Sequence, residues 1–390
     1  MRQLVLIAAM LVVAIPVAPN GQERPGAREA PAWLEQATKA EAEMRFEVAA
    51  ALLSQVLVEQ PRSADAWRAR VPLARLLALR GEVAAALLQC QALRDQLPLD
   101  HPARRQALEL ATLLGRRLRA GQTPAYFAGV VPTGTRGIPA LDQPVAIMVD
   151  PAGRYLLVDT GQGRAYLATG ETASAIGGVL DVSAGALLPD GTVALAGKNG
   201  LAIAGGKPAF LTSTVGGRPR PLKKVRSLAA TSGGDLLVVD RDVDALLRCK
   251  AGTLTCAPWG PPGKVLAVKV GVSDFVYVLD DRQQSVRVID PAGRVLATAG
   301  PQVGATRFDA ILDLAVDAAY GVYLLDKKKL IHILLLRGDA GRPMTLEPLP
   351  TFVLPTDEPR LLKNPLALAA MPDGAVLVVG GASARFLRLQ

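Results

Sequence analysis

Two cysteines are the clearest candidates for covalent chemistry in this sequence. Cys249 and Cys256 stand on either side of a six-residue stretch that contains Gly252. That spacing suits a short hairpin at the edge of a sheet. In an exported protein such a pair is expected to form a disulfide, and two unpaired thiols are the alternative. The third cysteine, Cys90, lies on the apolar face of a predicted helix and is expected to be a buried thiol.

Histidine, the commonest general base and metal ligand, occurs only at His101 and His332. His101 precedes a proline near a helix start, and His332 lies among Leu and Ile in a predicted strand. Neither has the neighbours that a zinc site or a Ser-His-Asp arrangement needs. The sequence therefore predicts no catalytic, cofactor-binding or metal-binding residue, and a non-enzyme is favoured over an enzyme.

Carboxylates at the ends of predicted strands are the other candidates for a site. The set is Asp159, Asp240, Asp280 and Asp326. We expect each to accept hydrogen bonds from its own turn and the four to be spread around the fold. Asp240 also begins a run that resembles a calcium loop. Ala245 stands where such a loop needs glycine, and no Glu occupies the twelfth position, so a solvated turn is favoured over a calcium site.

One basic run is a candidate site for an anionic partner. Its cations are Arg218, Arg220, Lys223, Lys224 and Arg226. Lipid headgroups, a polysaccharide or an acidic protein face would suit it, and a solvated loop is the alternative. Nucleic acid is not expected, because no aromatic side chains interleave with these charges and the net charge of +9 is spread along the whole chain.

The N-terminus has the form of an export signal. Arg2 precedes an apolar run over residues 4–17 that is too short to span a bilayer comfortably. We therefore expect residues 1–18 to be a signal peptide and the protein to be periplasmic or secreted. An uncleaved membrane anchor is the alternative. No other stretch approaches transmembrane length.

Residues 30–120 have the period of amphipathic helices and few glycines. The run Glu-Val-Ala-Ala-Ala-Leu-Leu begins at Glu47 and again at Glu82. With Trp67, Gly81 and Pro98 at their spacing, the segment resembles tetratricopeptide repeats, with Pro72 as a departure from the pattern. That resemblance implies helical hairpins with a concave surface for a partner protein. A helical bracket that only packs on the next domain is the alternative.

From residue 125 onward, a unit of two apolar strands joined by a glycine-containing turn recurs six times. Turns such as Pro-Asp-Gly supply the positive φ that a tight hairpin needs. The predicted strand pairs are residues 145–149 and 155–159, 185–188 and 193–196, 225–230 and 236–240, 265–270 and 275–280, 311–316 and 322–326, and 365–370 and 375–379.

These units resemble NHL repeats, which implies a six-bladed β-propeller over residues 125–390. The predicted fold is thus multidomain, with α-helical hairpins followed by an all-β domain. The final unit lacks a fourth strand, while residues 125–131 form a spare β-like segment. We therefore expect residues 125–131 to pair with residues 384–389 and to close the ring.

The favoured function is a non-enzymatic scaffold that binds a protein partner and needs no cofactor. A propeller lyase or lactone hydrolase that uses carboxylates at the channel mouth is one alternative. The lyases of similar fold rely on histidines that this chain lacks, and lactonase-type propellers use Asn and acidic ligands, whereas Asn occurs here only at Asn20, Asn199 and Asn364. A binder of anionic carbohydrate or lipid is the other alternative.

Overall fold

The computed structural model describes residues 29–119, 126–130, 138, 141–169, 172–203, 205–215, 219–280, 282–304, 306–338, 342–354, 365–380 and 385–389. Within these residues, five α-helices precede a β-propeller. The expected signal segment, residues 1–18, lies outside the described residues, and so does Arg218. Within the described residues, no helix is both long and apolar enough to span a bilayer.

The helices pack in sequence, each on the next, and α3 also contacts α1 and α5. They are α1 (Ala30–Ala42), α2 (Phe46–Glu59), α3 (Ala64–Leu79), α4 (Val83–Gln96) and α5 (Pro102–Leu118). Ser63 caps α3, as its hydroxyl accepts from the Ala66 amide at 3.0 Å. Gly81, with φ +85°, follows the end of α3. Both signals were readable in the sequence. Pro72 lies inside α3 without ending it.

The propeller strands occupy most of the remaining described chain. The strands up to residue 203 are β1 (Tyr126–Val130), β2 (Pro144–Val149), β3 (Tyr155–Asp159), β4 (Arg164–Thr169), β5 (Thr172–Ile176), β6 (Ala184–Leu187), β7 (Val193–Gly197) and β8 (Gly200–Ile203). Those up to residue 299 are β9 (Thr212–Ser213), β10 (Arg220–Pro221), β11 (Val225–Ala230), β12 (Leu236–Asp240), β13 (Leu247–Cys249), β14 (Thr255–Pro258), β15 (Val265–Val270), β16 (Val276–Asp280), β17 (Ser285–Ile289) and β18 (Val295–Ala299). The last are β19 (Gln302–Val303), β20 (Thr306–Arg307), β21 (Ile311–Val316), β22 (Gly321–Asp326), β23 (Leu330–Arg337), β24 (Thr345–Val353), β25 (Pro365–Ala370), β26 (Val376–Gly380) and β27 (Arg385–Leu389).

Among the strands that the structure describes, five antiparallel or mixed sheets contain at least four strands, the number in a full propeller blade. Four are β2–β5, β15–β18, β21–β24 and the set β1, β27, β26, β25, and the fifth has six strands from β9 to β14. The sheet β6–β8 has three strands among the described residues, and β19 pairs with β20. Each predicted hairpin is present as an antiparallel pair.

The predicted ring closure is confirmed. Strand β1 pairs antiparallel with β27, in a register that joins Tyr126 to Leu389 and Val130 to Arg385. The first propeller strand in the chain thus completes the sheet formed by the last three. This pairing covers the edge of β27, and β1 becomes the outer strand of that sheet.

The innermost strands of the sheets surround a central channel. Each neighbours the next in the order β2, β6, β11, β15, β21, β25, and β25 in turn neighbours β2. Side chains join some of these strands across sheet boundaries. Ser183 donates to the Val225 carbonyl at 2.7 Å, and the Asp313 carboxylate accepts from the Leu368 amide at 3.1 Å.

The helices share a hydrophobic core with the propeller. One buried cluster contains α1–α3 residues together with side chains of the sheets β15–β18 and β21–β24. At its centre the Phe46 ring meets Phe275 edge-on at 6.0 Å, and Phe275 lies 5.8 Å from Tyr320. Arg337, on strand β23 of the propeller, donates to the Ala78 carbonyl of helix α3 at 2.7 Å. The helical arm is therefore packed against the propeller rather than tethered to it.

A buried ion pair joins α5 to the propeller. Arg117 donates to both carboxylate oxygens of Asp317, at 2.7 and 2.8 Å, and to the Ala319 carbonyl at 2.7 Å. The two side chains are 8% and 0% exposed. Burial alone raises the pKa of Asp317, but the charge and hydrogen bonds of Arg117, with the amides of Gly321 and Ala319, bring that pKa below its usual value.

Candidate functional site

A repeated β-bulge turns side chains into the mouth of the central channel. Five innermost strands each skip one residue, near their start, in the pairing with the neighbouring strand of the same sheet. They are β2, β11, β15, β21 and β25. A bulge re-aims the side chain that it carries. The five skipped residues all line the channel mouth and are half-buried: Val145, Arg226, Leu266, Leu312 and Leu366. Four of them are apolar, and Arg226 is the exception.

The channel mouth is a cavity of about 660 Å³ with a surplus of positive charge. Its described lining includes two carboxylates, Asp181 and Asp313, against six cations. The cations are Lys198, Lys223, Lys224, Arg226, Arg241 and Lys269. The channel continues past Met148, Leu228 and Lys269, which line both parts, into a smaller cavity of about 150 Å³.

Lys269 and Asp313 form the deepest charged pair of this mouth. The Lys269 ammonium lies 4.0 Å from the Asp313 carboxylate, and the side chains are 17% and 10% exposed. Burial raises the pKa of Asp313, and Lys269, two backbone amides and Arg226 offset this only in part. The amides are those of Leu368 and Leu314. The pair is looser than a hydrogen-bonded salt bridge, so Asp313 neutralises Lys269 incompletely.

The structure divides the predicted basic run. Lys223, Lys224 and Arg226 reach the channel mouth, whereas Arg220 lies exposed in β10 and does not line the cavity. Lys224 also makes an exposed ion pair with Asp242 at 3.1 Å.

Three of the cations were missed by sequence reasoning: Lys198, Arg241 and Lys269. Lys269 was the detectable one, because it interrupts the apolar strand sequence Val-Leu-Ala-Val-Lys-Val.

The four predicted strand-end carboxylates do not converge. None lines the channel mouth among the described residues. Asp159 accepts from the Asp142 and Gln143 amides at 2.8 Å, and so ties its turn to the segment that leads into β2. Asp240 and Asp326 make equivalent bonds, and Asp280 binds the amides of its own turn. Their predicted turn-forming role is confirmed.

Both histidines have local structural partners. His101 caps α5 by accepting from the Ala103 amide at 3.2 Å. His332 is buried, with Asp326 at 3.4 Å and Thr351 at 3.2 Å. Within the part of the chain that the structure describes, no cluster of three or more His, Cys, Asp or Glu side chains is arranged for a metal ion.

The predicted cysteine pair lies directly opposed on β13 and β14. The sulfur atoms of Cys249 and Cys256 are 1.97 Å apart, at bonding distance. Cys90 is buried on α4, and desolvation raises the pKa of its thiol to about 11. At neutral pH it is therefore protonated and a poor nucleophile.

No protein-family model matches the chain, and no curated protein matches it. The similar solved structures include a streptogramin B lyase, with 12% identity, a TM-score of 0.46 and coverage of 68% of this chain and 98% of that one. The WD40 propeller domain of Doa1 has 12% identity and a TM-score of 0.42, and the match covers 68% of this chain and 97% of that one. The propeller domain of Cps50 (Swd1) from Myceliophteria thermophila has 8% identity and a TM-score of 0.46, and the match covers 65% of this chain and 98% of that one. All three are β-propellers.

Proposed function

We propose that the protein is an exported, non-enzymatic scaffold that binds a partner protein on a composite surface. That surface consists of a tetratricopeptide-like arm, residues 30–120, and a six-bladed propeller, residues 125–390. The stacking of each helix on the next supports the first assignment. The ring order of the six innermost strands supports the second. Residues 1–18 would be the export signal.

The observation that carries the proposal is the buried joint between arm and propeller. A free arm would present its groove in many orientations, and ordering it on binding would cost affinity. Here the Arg117–Asp317 pair and the shared core around Phe275 fix the arm in advance. A groove of about 350 Å³ between α1 and α3, lined in part by Leu34, Glu35 and Arg68, then holds a constant position relative to the propeller.

Photo-crosslinking tests the proposal. A benzoylphenylalanine at Thr38, which is exposed in the groove, should give one specific adduct in envelope extracts. The same probe at Thr253, on an exposed turn between β13 and β14, is the control and should not give it. Leu34→Glu should abolish the adduct. Absence of an adduct, or one that forms equally from Thr253 or survives Leu34→Glu, would contradict partner binding in the groove.

An enzymatic alternative needs other residues than those the sequence suggested. A lyase or lactone hydrolase would have to use carboxylates that face the channel. Of the acids described, Asp181 and Asp313 line the mouth. Asp313 already accepts from the Leu368 amide and faces Lys269. The scaffold is therefore the better-supported proposal.

A disulfide between Cys249 and Cys256 is part of the same proposal, because export to an oxidising compartment would let it form and persist. It would join β13 to β14, two neighbouring strands of the six-stranded sheet, in which β14 also pairs with β9.

A further inference from the structure

The channel mouth has features that partner-protein binding does not use. We propose that it binds a small organic anion, with an acidic head group and an apolar body. The head group lies against Lys269 and Arg226, and the body contacts the apolar bulge residues at the rim. This site goes beyond the scaffold function and does not depend on the helical groove.

The charge of the mouth selects an anion. Six lining cations face two lining carboxylates, and Lys269 is only 17% exposed. Charges act more strongly on each other where water is excluded, so the deep position of Lys269 favours an ionic head group there. Its counterion Asp313 is 4.0 Å away, which leaves Lys269 hydrogen-bond donors available to a closer ligand.

The apolar bulge residues select an organic body rather than a bare inorganic ion. Val145, Leu266, Leu312 and Leu366 are half-buried at the rim, at the same structural position as Arg226. An inorganic ion would leave these side chains in contact with water. An apolar body would cover them and gain the hydrophobic free energy of that area.

The size of the cavity limits the ligand. Ligand pockets typically enclose about 300–1,000 Å³ and combine an apolar lining with a few placed polar groups. The mouth, of about 660 Å³, has both properties. Below Lys269 the channel has a smaller cavity of about 150 Å³, which is under the lower end of the range for ligand pockets. The ligand therefore ends near Lys269 and does not thread through the ring.

Fluorescence titration with anilinonaphthalene sulfonate tests the proposal, since this probe has both an anionic group and an apolar body. Its neutral relative phenylnaphthylamine and inorganic sulfate each lack one feature. We expect one site for the anionic probe, with binding of either comparison compound at least about tenfold weaker. Sulfate binding is measured by displacement of the probe.

Two kinds of variant locate the site. Arg226→Leu gives that bulge the side chain of three of its counterparts, and should weaken the anionic probe about tenfold, as loss of a charged contact predicts. Lys269→Met should do the same. Lys269→Met alone leaves Asp313 without its nearby cation. The double variant Lys269→Met/Asp313→Asn removes both charges and so keeps the net charge of the mouth. Arg307→Leu, an exposed position outside the cavity, is the control and should change nothing.

Near-UV circular dichroism identifies variants that keep native packing. Unchanged affinity in natively packed Arg226→Leu, together with a double variant that binds the probe as tightly as the single variant Asp313→Asn, would overturn the proposal. So would equal affinity for the neutral compound. The groove crosslink from Thr38 does not involve the channel, so failure of one proposal leaves the other standing.

Discussion

Arg117→Met tests the joint between the helical arm and the propeller. The substitution removes the guanidinium and keeps an unbranched apolar side chain, so Asp317 stays fully buried without a cation. Removing one partner of a buried pair typically costs about 3–5 kcal/mol. Asp317 keeps three hydrogen bonds at 2.8–2.9 Å, from the Ala319 and Gly321 amides and the Tyr323 hydroxyl. We therefore expect the lower end of that range, about 3 kcal/mol.

The double variant Arg117→Met/Asp317→Asn separates charge from packing. It removes both charges, and the amide oxygen of Asn can still accept from the Ala319 amide. We expect a loss of about 1 kcal/mol, less than for Arg117→Met alone, because no uncompensated charge is buried. Arg282→Met is the matched control. Its pair with Asp244 has the same chemistry at 3.0 Å, but the side chains are 70% and 59% exposed. It should cost no more than about 1 kcal/mol.

Urea unfolding followed by tryptophan fluorescence and far-UV circular dichroism measures these losses. Trp33 and Trp67 report on the helices, and Trp259 reports on the propeller. Because the folded-state pKa of Asp317 lies below the unfolded value, the pair contributes stability above about pH 4 and loses it as the pH falls further. The difference between the wild type and Arg117→Met should shrink accordingly. A loss of stability for Arg117→Met no larger than that for Arg282→Met would refute the reasoning. So would a double variant whose loss equals the summed losses of the single variants Arg117→Met and Asp317→Asn.

Three further predictions concern the channel, the cysteines and ring closure. Asp313→Asn should tighten anilinonaphthalene sulfonate several-fold at pH 7, and in the wild type affinity should rise as the pH falls through the raised pKa of Asp313, a dependence that the variant reduces. A flat wild-type profile would contradict this. Cys249→Ala/Cys256→Ala should lower the free energy of unfolding by about 2–3 kcal/mol. In the wild type, intact mass after alkylation in denaturant without reductant should show one reactive thiol, that of Cys90. Three alkylated thiols would refute the disulfide. Ala128→Pro/Gly129→Pro changes two successive residues of β1, one of whose amides must face β27. It should cost about 1–3 kcal/mol in thermal or urea unfolding, and unchanged stability would contradict the ring closure.

Local chemistry made the strands predictable. The turn at Gly153, with φ +79°, and the turn at Gly374, with φ +80°, each need a residue that tolerates positive φ. Pro-Ala-Gly and Pro-Asp-Gly provide it within three residues of sequence. The strand-end carboxylate of Asp159 likewise acts on amides of its own hairpin and the segment before it. Such signals are contained in one repeat and need no knowledge of the ring.

The candidate site was less predictable because it depends on contacts between distant parts of the chain. Lys269 lies in a strand whose sequence indicates burial, and its exposure to the channel follows from the position of β15 in the ring. Lys198 joins it from another sheet. The pairing of Arg117 with Asp317 spans 200 residues and depends on how α5 docks. A reading of local periodicity cannot bring such residues together.

The bulges show how a repeat that builds the fold can also carry function. At five equivalent positions the same backbone irregularity directs a side chain towards the channel, so the fold requires the bulge but not one particular residue there. Val145, Leu266, Leu312 and Leu366 satisfy it with apolar groups, which lose little in partial exposure. At the fifth position Arg226 adds a half-buried cation to the same ring of side chains. Its charge, like that of Lys269, lowers the pKa of Asp313 against the raising effect of burial. The difference between Arg226 and its four counterparts therefore sets a positive charge beside apolar groups, which is the combination that an amphipathic anion requires.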